Sequence, residues 1–161
     1  MHPTGFVGSW KTFTKVWWGG PGTPPSDTYG TAEVKWVLGK RFLLEEMNAK
    51  TPMPDPGNPR EISKVPSQGI RMIGYDNTRN LYTGTWAHTV GTDIQTMQGG
   101  VDPSGKLFRM YGEMDEPMLN VYGRMVKFVT RIVNDNKHLL EIVDLHASDD
   151  YKVMEITYTR K

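Results

Sequence analysis

Apolar and polar residues alternate with a period near two through most of the chain, and turn-forming residues bound each alternating run. The runs predict β-strands over roughly 8–17, 28–38, 41–49, 67–76, 81–89, 92–100, 106–114, 121–134, 137–146 and 151–160. Gly39-Lys40, Asp76-Asn77, Asp102-Pro103-Ser104-Gly105, Asn134-Asp135-Asn136 and Ser148-Asp149-Asp150 read as the hairpin turns between them. The run Phe42-Leu43-Leu44-Glu45-Glu46-Met47 has good helix propensity, but the tight turn at Gly39-Lys40 folds it back on Val34 to Leu38 and makes it a strand. Connections this short force antiparallel neighbours, because a parallel return needs a crossover of a dozen or more residues.

A meander of about ten twisted strands leaves two long edges unless it closes on itself, and a barrel of more than eight strands encloses more space than its own side chains easily fill. The sequence therefore predicts an all-β fold: a roughly ten-stranded antiparallel up-and-down barrel with an internal cavity, in one domain over residues 1–161. Two stretches, Gly19 to Ser26 and Thr51 to Pro59, are too rich in Pro and Gly for strand or helix and read as rim loops or lids.

Composition narrows the partners. Nineteen Lys and Arg against eighteen Asp and Glu give a net charge of +1, which argues against nucleic acid and favours a neutral or weakly polar small ligand. The absence of Cys excludes disulfides, thiolate metal sites and a Cys nucleophile. No run approaches the roughly 18 to 20 apolar residues of a membrane-spanning helix, so no membrane partner is expected. The segment Met1 to Gly8 has neither a basic nor an apolar signal region, and a cytoplasmic location is the expectation.

Gly8-Ser9-Trp10 matches the Gly-x-Trp signature of the lipocalin-like, or calycin, barrels. Ala32 to Leu43, Ile73-Gly74-Tyr75-Asp76-Asn77, Tyr82-Thr83-Gly84-Thr85-Trp86 and Lys152 to Arg160 resemble, in order and over most of the chain, the bacterial family of unknown function 1579 (DUF1579). The resemblance implies a lipocalin-like barrel and no particular reaction. It also implies that Trp10 plugs the closed end and stacks under Arg160 from the last strand, a cation–π contact of about 0.5–2 kcal/mol. The sequence departs from the family in having His88 where an acidic residue is usual, and in nearly lacking an N-terminal lead-in, which leaves the barrel bottom less covered.

Same-face neighbours on a strand are about 6.6 Å apart, so Tyr82, Gly84, Trp86 and His88 share one face and form a candidate pocket wall. Our first reading is a binding module in which Trp36, Tyr82, Trp86, Met97 and Tyr158 hold a small, largely hydrophobic or aromatic molecule, with His88 and Arg124 supplying polar specificity. Arg124 alternates with Tyr122, Val126 and Phe128, and an Arg on an apolar face suits either an anion anchor or a stem whose head stays wet. Met47, Met72, Met97, Met110, Met125 and Met154 fall in strands and suit either a polarizable cavity or ordinary core. The alternative is an enzyme without cofactor, an isomerase, cyclase or hydrolase with His88, Glu33 or Glu155 as acid or base. A third reading is a homodimer joined by an exposed strand and a Trp17-Trp18 lip.

His138 and His146 lie about 26 Å apart along one strand and cannot share a metal ion, while Asp144 and His146 are close enough to pair at a solvated rim. No metal site and no cofactor are expected; haem through a single His, as in the related nitrobindin barrels, is the minor alternative for His88 or His138. Glu45-Glu46 and Asp149-Asp150 point to opposite faces and make poor acid/base pairs. No nucleophile elbow, phosphate-binding loop, zinc-protease motif or dinucleotide fingerprint is present.

Overall fold

The computed structural model describes residues 3–117 and 120–161; Met1 and His2, part of the segment read for a signal, lie outside the described residues. A short 3-10 helix, Pro3–Phe6, leads into ten strands: β1 (Gly8–Val16), β2 (Ser26–Val37), β3 (Phe42–Pro54), β4 (Ile62–Asp76), β5 (Leu81–His88), β6 (Gln95–Val101), β7 (Leu107–Glu116), β8 (Val121–Asn134), β9 (Lys137–Asp144) and β10 (Lys152–Arg160). Each strand is antiparallel to its sequence neighbours, and β1 closes the barrel by pairing with β10. Among the described residues no helix is long and apolar enough to cross a membrane.

Alternation decides which side chains enter. In β1, Trp10, Thr12, Thr14 and Val16 are buried, and the register carries that face around the wall through Ala32 and Val34, Leu43 and Met47, Tyr82, Met97, Met110, Phe128, Ile142, Ile156 and Tyr158. Phe42 to Met47 is strand as expected. The preceding turn takes Leu38, Gly39 and Lys40 through the left-handed region, at φ of 49°, 66° and 61°. Two of these three are not glycine, so the neighbouring strand pairs, Val37 with Phe42 among them, must hold the turn in shape.

The stretch Thr51 to Pro59, expected to be a loop throughout, is strand as far as Pro54, which pairs with Ile62. β2 leaves β3 beyond Asn48, and β5 joins β4 only from Gly69, so residues 49–54 and 62–68 form a two-stranded ribbon projecting past the wall. Such a ribbon has outer edges with no strand to receive an N–H, which is where proline is tolerated in a sheet. Trp18 donates its indole N–H to the Pro52 carbonyl at 3.2 Å and so ties the β1–β2 connection to the ribbon.

Trp10 and Arg160 face each other across the β1–β10 seam, with the guanidinium 4.2 Å above the indole ring. Arg160 also donates to the carbonyls of Val7 at 2.9 Å, Gly5 at 3.0 Å and Asp135 at 2.9 and 3.0 Å. The bottom has a cover after all: Phe6 packs edge-on against His138 and Phe108, and the Phe6 carbonyl accepts the Trp10 indole N–H at 2.8 Å. One planar side chain thus joins the lead-in, the first and last strands and the β8–β9 turn. Lysine keeps the charge but not the fork. Arg160→Lys should lower stability by about 2 kcal/mol, read as a reduced urea midpoint with unchanged slope; an unchanged midpoint would refute this role.

Candidate functional site

The barrel interior is not filled solid. A cavity of about 660 Å³ occupies the end that carries the β2–β3 and β4–β5 hairpins. Phe6, Trp36, Phe42, Tyr75, Tyr82 and Phe108 supply rings to its wall, with Leu43, Ile73 and Met110 between them. Lys40, Arg41 and Asn77 stand at its rim, and Glu45, Arg71 and His138 reach it from below. A second depression, about 580 Å³, lies outside the wall beside Tyr29, Lys50 and Gln68. It lies on the outer face and is the more open of the two to solvent, so the internal cavity is the better candidate.

The floor is a buried polar cluster. Glu45 alternates with Leu43 and Met47 and so points inward, opposite Arg71 of β4. The Arg71 Nη2 donates to Glu45 Oε2 at 2.6 Å, and Tyr158 donates its hydroxyl to Glu45 Oε1 at 3.0 Å. The Arg71 and Glu45 side chains are 12% and 5% exposed, so this pair is desolvated and each charge needs the other. Burial works against the Arg71 charge, but Glu45 more than offsets it and holds the guanidinium more firmly protonated than usual. Burial, reinforced by the Glu45 carboxylate, pushes the Tyr158 phenol well above its ordinary range, with Arg71 opposing; it is a hydrogen-bond donor, not a phenolate.

His138 stacks on Tyr158 at 4.3 Å and meets Trp10 and Phe6 edge-on. Burial, with Arg71 and Arg160 nearby, pushes its pKa down to about 3, so the ring is neutral at physiological pH.

The seven nominated ligand residues do not form one site. Trp36 and Tyr82 line the cavity. Tyr158 lies beneath, reaching it through Glu45. Met97 is core: it sits opposite Gly84, where a Cβ would meet its Cγ at 3.3 Å, so the gap expected beside that glycine is already filled. Trp86, His88 and Arg124 belong to the other end. The Trp86 indole lies over Gly69, which has room for no side chain, since a Cβ there would meet the ring at 2.2 Å. His88 stands beside Trp86 with its Nδ1 enclosed and unpartnered. Arg124 pairs with Asp144 at 2.5 Å, and Asp144 also accepts the backbone N–H of His146 at 3.0 Å, replacing the expected Asp144–His146 side-chain pair. Nearby Glu116 is raised by burial, with Asp144 adding to the shift and Arg124 opposing it.

Of the six strand methionines, Met110 alone lines the cavity; Met47 and Met97 are core, Met154 packs against it, Met72 is half-buried outside that cluster, and Met125 is exposed. The single-histidine haem alternative is carried no further, with His88 at the far end and His138 boxed by three rings. Among the described residues no three His, Asp or Glu side chains converge as metal ligands would.

The sequence reading missed Glu45 and Arg71. The signal was present, a charged residue on an otherwise apolar face in each strand, the same oddity that singled out Arg124.

The depressed His138 pKa has a defined consequence for stability. The unfolded chain binds a proton at this site near 6.5 and the folded chain only near 3, so folding is favoured fully above 6.5 and loses stability progressively as pH falls toward 3. At about pH 5 His138 alone should cost about 2 kcal/mol relative to neutrality. His138→Phe should flatten this part of the denaturation profile, and an equally steep loss in the variant would remove His138 as its source.

The chain matches the family model described as "protein of unknown function (DUF1579)" over residues 4–160. No curated protein matches it. Among solved structures it is similar to the S-type phycobiliprotein lyase CPES from Guillardia theta, with a TM-score of 0.55, 10% identity, and 98% of this chain and 89% of that one covered. A redesigned β-barrel overlaps 99% of this chain and 95% of its own, at TM-score 0.47 and 8% identity. At 10% identity the likeness to the lyase speaks for the fold alone, a closed antiparallel barrel. The match across nearly the whole chain assigns this protein to the DUF1579 family.

Proposed function

We propose that this chain binds one small, largely hydrophobic or aromatic molecule in the cavity at the hairpin end of its barrel. One observation carries the reading: a space of about 660 Å³ stays open in a closed barrel, walled by aromatic and aliphatic side chains and floored by one polar cluster. Small-molecule sites have this composition, because apolar walls supply affinity and a few placed polar groups supply orientation. The enzymatic alternative gains no observation of its own. None of its candidates lines the cavity: His88 is at the other end of the barrel, Glu33 is exposed, and Glu155 pairs with Lys152 at 2.6 Å.

Titration with the neutral probe N-phenylnaphthylamine should give saturable quenching of tryptophan fluorescence, Trp36 being in the cavity wall. Val101→Trp, which fills the cavity, should weaken binding by about tenfold or more; Tyr29→Ala, on the outer wall, should leave it unchanged. Quenching that does not saturate, or that survives Val101→Trp, would sink the reading.

A further inference from the structure

The cluster on the cavity floor bears on what kind of head group a ligand can carry. Arg71 has five N–H donors and makes one hydrogen bond, to Glu45, among the described residues. Its side chain helps to form the cavity wall, and none of its nitrogens is among the enclosed, unpartnered polar atoms. Both Glu45 oxygens are already engaged, Oε2 by Arg71 and Oε1 by Tyr158, and at 5% exposed the side chain offers a ligand little access. His138 is uncharged and adds no cation. The floor therefore offers donors to a ligand acceptor while being electrically neutral as a unit.

A ligand carboxylate placed on the free edge of Arg71 would stand one guanidinium width from the Glu45 carboxylate, against side chains that are 12% and 5% exposed. Like charges so close in a desolvated space disfavour each other strongly, and one cation cannot compensate two anions. The other cations of the cavity, Lys40 and Arg41, are at the rim in the β2–β3 turn, beyond the three residues of strand, roughly 10 Å, that separate Phe42 from Glu45. Both are exposed, and at that range their pull is screened. A neutral acceptor meets no such conflict and satisfies donors that would otherwise have only water.

We infer that the cavity selects an uncharged apolar molecule bearing a carbonyl-type acceptor, that Arg71 is the group that receives it, and that Glu45 excludes the corresponding carboxylate. The inference rests on the cavity being the ligand site and adds the head-group rule. Glu45 acts through Arg71 and is a positioning residue. Its removal has an effect opposite to that of removing Arg71, which a merely structural role would not produce.

Displacement of N-phenylnaphthylamine by three matched naphthalenes tests this: the methyl ketone, the carboxylate and the methyl hydrocarbon. The wild-type chain should bind the ketone about tenfold or more tighter than the carboxylate and about fivefold tighter than the hydrocarbon. Glu45→Gln keeps an acceptor for Tyr158 but frees the Arg71 charge, so carboxylate affinity should rise by about tenfold or more. Arg71→Met should bring ketone and hydrocarbon to the same affinity. Equal binding of all three ligands by the wild type, a wild-type preference for the carboxylate, or a folded Glu45→Gln chain with unchanged carboxylate affinity would overturn the inference while leaving cavity binding intact. Failure of the probe itself to bind would remove both. The wild-type order stands as a test by itself should either variant not fold.

Discussion

The pairing of the first strand with the last holds this architecture together. Seven consecutive residue pairs from Trp10–Arg160 to Val16–Met154 turn an open meander into a barrel, and without them both β1 and β10 would present bare edges. These are also the contacts most distant in sequence, so closure needs reinforcement that does not depend on local propensity. Arg160 supplies it at the bottom of the seam. Its guanidinium lies on Trp10 and gathers carbonyls from the lead-in and from the β8–β9 turn, each an acceptor that would otherwise need another partner at that end.

Closure makes an interior in which polar groups must satisfy one another. The barrel meets that demand differently at its two ends. At the hairpin end Glu45, Arg71 and Tyr158 form a connected set under an open cavity. At the other end Arg124 is paired with Asp144 near Glu116, His88 stands beside Trp86, and Trp18 ties down the β3–β4 ribbon. The first arrangement stands beside an open cavity; in the second, Arg124 Nε and His88 Nδ1 are enclosed without a partner and line neither cavity. That contrast, more than the number of aromatic residues, places the candidate site at the hairpin end.

The strand pattern was legible because alternation is a local property: each strand shows its own period, and the turns between carry their own chemistry. The exception is instructive. Prolines at 52 and 54 normally argue against a strand, and the ribbon tolerates them only because β2 has already departed from β3, a fact of pairing and not of composition. Grouping residues by face within a strand also worked, as Tyr82, Gly84, Trp86 and His88 do share one side. What failed was the step from a shared face to a shared site. Those four residues run along the barrel axis, so Tyr82 reaches the cavity while His88 is nearer the opposite mouth.

The sequence by itself determined the fold class, the strand count and the antiparallel order, because each follows from short-range period and turn residues; the Trp10–Arg160 stack was implied only by family resemblance. Only the tertiary structure decided the site. Glu45 and Arg71 are 26 residues apart and Tyr158 a further 87 along the chain, and no local pattern relates them. They meet because β3 and β4 pair in one register and barrel curvature brings β10 across the lumen. A one-residue slip in either strand would turn its charge outward, which is why the register, and not the composition, made the cavity floor.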